Sequence, residues 1–177
     1  GYHNRPEENA AVFTEDGGFR TGDLGYIDSE GFLFISGRLK ELYKLQNGKY
    51  VAPVPLEEKV KLSPFVANCM VYGDNRLFNV AVIVPDFANL KSWASEQGIS
   101  ESNDEKLIDD PKVKEQLRAE VDKFTLEFKG FEEIKKICVV PEDFTVENGM
   151  MTPSMKVKRR IVMERYGEKI EALYAGS

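Results

Sequence analysis

Two apolar segments, separated by one short turn, constrain the fold of this chain more than any other feature. Residues 66–72 (VANCMVY) and 79–84 (NVAVIV) are rich in strand-forming side chains, and the tripeptide Gly-Asp-Asn at 73–75 lies between them. These turn residues accept backbone conformations that tight connections require, so the pattern predicts a β-hairpin. Pro85 ends the second strand. Residues 134–140 supply a third strand candidate.

Segments with helical spacing surround these strands. The predicted helices are residues 55–62, 87–98, 113–128 and 159–174. In the first, Pro55 suits the opening position, and Glu57 and Glu58 in the first turn complement the helix dipole. Residues 100–111 are polar and are predicted to form a surface loop. We therefore expect an α+β fold, a small mixed or antiparallel sheet with helices covering one side.

The first forty residues have a different pattern. The short apolar runs 24–27 and 32–35 flank the turn sequence DSEG at 28–31, which predicts a second hairpin. A two-stranded hairpin is marginally stable by itself, so this one is expected to pack against a partner. We interpret residues 1–39 as the edge of a large N-terminal domain and residues 40–177 as a separate, mobile C-terminal domain.

Composition excludes several classes of function. The net charge is −6, which argues against nucleic acid as a partner, because non-specific affinity depends on the cations that a surface presents. One histidine and two isolated cysteines provide no zinc-ligand set, and no metal site is predicted. No apolar run approaches the roughly 18 residues that span a bilayer. We expect a cytoplasmic protein, with peripheral membrane association of a longer form left open.

Two polar segments are candidates for binding chemistry. In RTGD at 20–23, Asp23 begins a strand and could accept hydrogen bonds from a ribose diol, although such an aspartate is more often a turn residue. In GRLKE at 37–41, Arg38 follows a strand, where its planar guanidinium could hold a phosphate. Farther on, Gly48 permits close approach of a ligand to the backbone. Taken singly, each residue is explained as well by solvated surface charge.

The order of these segments is more specific than any one of them. RTGD, then GRLKE, then the glycine loop and the Pro-x-x-x-Glu of 53–57 resemble two consecutive motifs of the adenylate-forming superfamily. That superfamily includes acyl-CoA synthetases, peptide-synthetase adenylation domains and beetle luciferases. The resemblance extends over the whole chain.

A further element near the C-terminus supports the resemblance. PSMKVKRR at 153–160 resembles the last motif of the superfamily, in which one lysine reaches the active site, and the alignment places that lysine at Lys156. Ser154-Met155 stands where Ser-Gly is usual. The preceding Thr152-Pro153 resembles the Thr-Pro-x-x-Lys form of the long-chain fatty acyl-CoA synthetases.

The resemblance implies a two-step ligase. ATP and a fatty acid give an acyl-adenylate and pyrophosphate, and CoA then displaces AMP, with rotation of the C-terminal domain between the steps. Asp23 would bind the ribose hydroxyls of ATP, and Arg38 would assist at the ribose and phosphate. Lys156 would neutralise charge during adenylation. Lys40 would be the hinge.

A second surface is implied for thioester formation. Lys44, Gly48 and Lys49 would face CoA there, with the backbone lining the pantetheine tunnel. The basic residues that follow Lys156 have two interpretations, contact with CoA phosphates or plain surface charge; they are Lys158, Arg159 and Arg160.

The implied substrates are ATP, CoA and a long-chain fatty acid. Mg²⁺ would accompany ATP and be held mainly by the missing N-terminal domain, which is also the implied partner. The chain alone would be inactive, because the phosphate-binding loop and acyl pocket lie earlier in such enzymes. Two alternatives stay open: another adenylate-forming enzyme of the peptide-synthetase or luciferase type, and a non-catalytic α+β interaction module.

Overall fold

The computed structural model describes residues 1–128 and 130–175, and the chain divides into two compact units, Gly1–Leu42 and Tyr43–Ser177. The N-terminal unit consists of helix α1 (Pro6–Val12) and the antiparallel strands β1 (Asp23–Ile27) and β2 (Leu33–Arg38). The Asp28 carboxylate closes the hairpin by accepting the backbone N–H groups of Glu30 and Phe32, each at 2.9 Å. The predicted N-terminal hairpin is confirmed.

The apolar side chains of this hairpin are open to solvent. Tyr26, Ile27, Leu33 and Ile35 are between 58% and 69% exposed. Tyr26 stacks on Phe34 with 5.2 Å between ring centroids. Because side chains of this kind are normally covered, they are the surface that a packing partner would use. That such a partner covers them stays a prediction.

The C-terminal unit contains a small mixed sheet. The strands of the unit are β3 (Tyr43–Lys44), β4 (Tyr50–Val51), β5 (Val66–Tyr72), β6 (Asn79–Pro85) and β7 (Ile134–Val139). The helices of the unit are α2 (Pro53–Val60), α3 (Phe87–Glu96), α4 (Asp104–Leu107), α5 (Pro111–Phe124) and α6 (Arg159–Tyr174). Strands β5 and β6 are antiparallel, β7 joins β6 in parallel, and β3 and β4 form a separate two-stranded ribbon. The predicted α+β fold class is confirmed.

The sheet is covered on both faces. Val71, Ala81 and Ile83 belong to one apolar cluster with side chains of α2, α3 and α5. Met70 and Val82 belong to a second cluster with side chains of α6. The expectation that helices cover one side only is therefore wrong. Strand β6 is buried at every position, and an apolar run without alternation is typical of a strand covered on both faces.

Helix α2 differs from its predicted position. It begins at Pro53, two residues earlier than expected, and proline is well tolerated there because the first helical N–H needs no partner. Leu62, predicted on its apolar face, lies beyond its end and is 63% exposed. Glu57, predicted in the first turn, lies farther along the helix and is buried.

The stretch predicted as a loop at 100–111 contains helix α4. The Asn103 side chain caps it by accepting the Lys106 N–H at 3.1 Å, and Leu107 at its end is fully buried. The Asp110 carboxylate then caps α5. Helix α5 ends at Phe124, so Phe128, predicted on the same helix, instead packs on the core from the connection that follows.

Candidate active-site surfaces

Lys156 lies on a tight loop between Met151 and Val157, which pair as an isolated β-bridge. The Thr152 N–H donates to the Lys156 carbonyl at 2.8 Å, and the Met155 N–H donates to the Thr152 carbonyl at 2.9 Å. The Thr152 hydroxyl accepts the Lys156 N–H at 3.1 Å. The loop backbone is thus held by its own hydrogen bonds while the Lys156 side chain is exposed, and its ammonium is accessible to an anionic ligand.

The start of α6, directly after this loop, is anchored by an ion pair. Arg159 donates to the two carboxylate oxygens of Glu57 at 2.6 and 2.7 Å, and also to the Val71 carbonyl at 3.0 Å. Glu57 accepts the Val71 N–H at 2.7 Å and is only 5% exposed. Arg159 therefore joins α6 to α2 and β5. The side chains of Lys158 and Arg160 are exposed, which agrees both with contact to CoA phosphates and with plain surface charge.

Asp23 and Arg38 lie opposite each other on β1 and β2. The Arg38 Nε atom is 3.0 Å from Asp23 Oδ1, and the two side chains are 55% and 26% exposed. The Thr21 hydroxyl accepts the Asp23 N–H at 3.0 Å, which fixes the start of the strand. An exposed ion pair contributes only about 0–1 kcal/mol, so either group can exchange its partner for a ligand. The structure brings together the two residues assigned to the nucleotide.

Lys40 lies in a 3-10 turn, Leu39–Glu41, at the end of the N-terminal unit. The Leu39 N–H donates to the Gly22 carbonyl at 2.8 Å, and the Lys40 side chain is exposed. The division between the two units follows Leu42. The hinge role of Lys40, and a domain boundary directly before it, stay predictions.

The β3–β4 ribbon carries the residues assigned to the CoA surface. Gly48 has φ +86°, a left-handed conformation that favours glycine, and its N–H donates to the Leu45 carbonyl at 2.9 Å. The Lys44 ammonium lies 5.8 Å from the centre of the Tyr50 ring. The Lys49 ammonium lies 5.9 Å from the centre of the Phe131 ring. Both lysines are exposed, so this ribbon presents two cations beside a backbone turn.

Two residues that the sequence analysis does not single out, Tyr43 on β3 and Asn79 on β6, link the ribbon to the three-stranded sheet. The Tyr43 hydroxyl donates to Asn79 Oδ1 at 2.7 Å, and Asn79 Nδ2 donates to the Phe131 carbonyl at 2.8 Å. Asn79 is fully buried, and burial also raises the pKa of the Tyr43 hydroxyl well above its usual value. A polar residue at the start of an otherwise apolar strand was the only sequence signal for this bridge.

The family of the chain follows from comparison with known proteins. The family described as AMP-binding enzyme C-terminal domain matches residues 41–177, which is most of the chain. The chain belongs to this family. The C-terminal unit of the structure is therefore the C-terminal domain of an AMP-binding enzyme, and the Lys156 loop and the β3–β4 ribbon both lie in it.

Similarity to known proteins extends beyond the C-terminal domain into the N-terminal unit. A long-chain-fatty-acid–CoA ligase from Mycobacterium tuberculosis is 37% identical over 98% of this chain, which spans 29% of that protein. Fatty acyl-CoA synthetase A from Dictyostelium discoideum is 40% identical over 99% of the chain, which spans 27% of it. The A-PCP didomain of carboxylic acid reductase from Segniliparus rugosus, in complex with AMP, aligns with a TM-score of 0.76 and 33% identity over 99% of this chain and 23% of its own. The predicted resemblance to long-chain synthetases is confirmed.

Across residues 1–128 and 130–175, no helix is both long and apolar enough to cross a membrane. The same residues contain no group of three histidine, cysteine or carboxylate side chains placed to hold a metal ion.

Proposed function

We propose that this chain is the C-terminal part of an ATP-dependent long-chain fatty acyl-CoA synthetase. The complete enzyme would join a fatty acid to CoA and release AMP and pyrophosphate. Support comes from the family match and from ligase relatives whose similarity includes the N-terminal unit. The chain would supply a lysine to the first step and a second surface to the second step.

In the first step, the fatty-acid carboxylate attacks the α-phosphorus of ATP and pyrophosphate leaves. Lys156 would neutralise the negative charge that develops on the reacting oxygens, a role that suits a compact ammonium. Its exposure on an internally hydrogen-bonded loop is the observation that carries the proposal. Asp23 would accept hydrogen bonds from the ribose hydroxyls, and Arg38 would donate to the ribose or phosphate. Mg²⁺ would arrive with ATP, with its ligands mainly outside this chain.

In the second step, the CoA sulfur attacks the acyl carbonyl and AMP leaves. The turn at Gly48 would lie along the pantetheine, and Lys44 and Lys49 would bring positive charge to the same surface. Lys40 would act as the hinge that lets the C-terminal domain present each surface in turn, since domain closure about a few connector residues is a common gating device.

The test replaces Lys156 with alanine in the full-length enzyme and follows the two half-reactions separately. Adenylation, measured by ATP–pyrophosphate exchange, is expected to fall by about 10²–10³, the usual effect of removing a charge contact to the transition state. Thioester formation from supplied acyl-adenylate is expected to keep its rate. Lys112→Ala removes an exposed lysine from α5 and is the matched control. Unchanged adenylation in Lys156→Ala would favour a non-catalytic interaction module.

A second candidate comes from the solved relative, an adenylation region of a carboxylic acid reductase. Enzymes of the peptide-synthetase or luciferase type are related candidates with the same motifs. Product analysis with and without free CoA, over a series of acyl-chain lengths, separates these classes. A long-chain synthetase is expected to yield a CoA thioester and to prefer long chains. This chain without the rest of the enzyme is expected to yield none.

A further inference from the structure

Met155, directly before Lys156, has a backbone conformation that methionine rarely adopts. Its φ is +60°, in the left-handed region, where the Cβ atom of a non-glycine residue approaches the carbonyl oxygen that follows. Across residues 1–128 and 130–175, the other non-glycine residues with positive φ are Asn4 and Asn75. Asparagine tolerates this region because its short polar side chain can bond locally. Of these three residues with positive φ, Met155 is the one with a long apolar side chain.

The loop itself gives no reason for a methionine. Met155 is 68% exposed, so the described part of the chain does not bury it. The hydrogen bonds of the loop use backbone groups and the hydroxyls of Thr152 and Ser154, all of which glycine at this position would leave in place. Glycine would form the same turn without strain. Strained residues of this kind tend to persist at functional sites, where another interaction requires them.

Lys156, the residue that follows Met155, indicates which interaction would require the methionine. Met155 and Lys156 are consecutive residues of one exposed turn, so docking of this turn onto another surface would bring both to it. An ammonium acts more strongly on an anion when water is excluded around it. A flexible thioether side chain fills irregular apolar gaps well, which would exclude that water.

We propose that Met155 is a positioning residue for adenylation. Its side chain packs against the adenylate-binding domain of the same enzyme, outside this chain, and thereby seats the Lys156 ammonium in a water-poor site. The proposal rests on the function proposed above, and it adds a residue whose part is apolar contact rather than charge.

The test compares three variants of the full-length enzyme. Met155→Ala and Met155→Gly are expected to lower the rate of ATP–pyrophosphate exchange by about tenfold, which corresponds to about 1.4 kcal/mol of lost transition-state stabilisation. Met155→Leu, which keeps an apolar side chain of similar volume, is expected to retain most of the rate. All three should form thioester from supplied acyl-adenylate at the native rate, because the other surface serves that step.

A purely structural role is separated by a stability measurement and a control. Met155→Gly relieves backbone strain, so the urea midpoint of this 177-residue chain should stay constant or rise while adenylation falls. Asn75→Gly makes the same backbone change elsewhere and should leave adenylation unchanged. Adenylation by Met155→Gly that equals or exceeds the native rate would overturn the proposal.

Lys156→Ala in the same assay distinguishes this proposal from the one on which it rests. Slow adenylation in Met155→Ala together with native adenylation in Lys156→Ala would refute the role of the lysine and, with it, the seating of its ammonium by Met155. The opposite pattern would refute the role of Met155 and keep the lysine.

Discussion

The ion pair between Glu57 and Arg159 yields the sharpest prediction for stability. Glu57→Gln keeps one oxygen for the Val71 N–H but removes the charge that faces the guanidinium. Removing one partner of a buried pair costs about 3–5 kcal/mol. Here the Arg159 side chain is 31% exposed and that of Glu57 is 7% exposed, so water can partly rehydrate the arginine. We therefore expect a smaller loss, about 2–3 kcal/mol.

Denaturation in urea measures this loss, with the fluorescence of Trp93 as the signal. Trp93 is the only tryptophan and packs edge-on against Phe65 in the core of the C-terminal unit. With a slope of about 2 kcal/mol per molar urea, the midpoint should fall by about 1–1.5 M. Glu164→Gln makes the same change in the exposed pair with Arg160 and should shift the free energy of unfolding by less than about 0.5 kcal/mol. Equal midpoints for Glu57→Gln and Glu164→Gln would refute the reasoning.

Two further predictions concern a buried amide and an acid-sensitive carboxylate. Asn79→Ala leaves the Tyr43 hydroxyl without its acceptor, so we expect a loss of about 2–3 kcal/mol in the same urea assay, and a loss below about 0.5 kcal/mol would contradict the bridge. Burial acts to raise the pKa of Glu142, but hydrogen bonds and charge, mainly from Arg165, outweigh it and hold the pKa below its usual value. Because the folded-state pKa is lowered, the stabilisation is present at neutral pH and is lost as the pH falls below about 4.3. Glu142→Gln should therefore be less stable than the native chain at pH 7, and the difference should shrink as the pH falls below about 4.3; a constant difference would refute this.

Local patterns in the sequence predict some strands and helices well. The bounds of β5 agree with the predicted 66–72, and α6 spans the predicted 159–174. The first segment is rich in strand-forming side chains and ends at Gly73, and the second has apolar residues at helical spacing, so local sequence favours each conformation. Helix α4 was missed because the segment around it is mostly polar. Leu107 at its end and Ile108 just after it are buried, but two apolar residues are too few to form a recognisable pattern.

The polar contacts that support the candidate surfaces were harder to predict. Glu57 and Arg159 are separated by 102 positions, and Tyr43 and Asn79 by 36. No local spacing relates such pairs, since each depends on how helices and strands pack in three dimensions. The same limit explains why Arg159 was grouped with its basic neighbours. Motif order, in contrast, identified Lys156, Asp23 and Arg38 as candidates, and the structure then placed Asp23 beside Arg38.

Both surfaces of the C-terminal unit are tied to buried helices and strands. The Lys156 loop leads into α6, which Arg159 ties to α2 through Glu57. Helix α2 follows β4 of the ribbon almost directly, and the Tyr43 hydroxyl ties β3 to the buried Asn79 on β6. Because a close-packed core resists separate movement of its parts, we expect the points where the Lys156 loop and the ribbon join the core to keep their places within the unit. In the proposed reaction, we therefore expect alternation between the steps to come from rotation of the whole unit about the connector near Lys40, which stays a prediction.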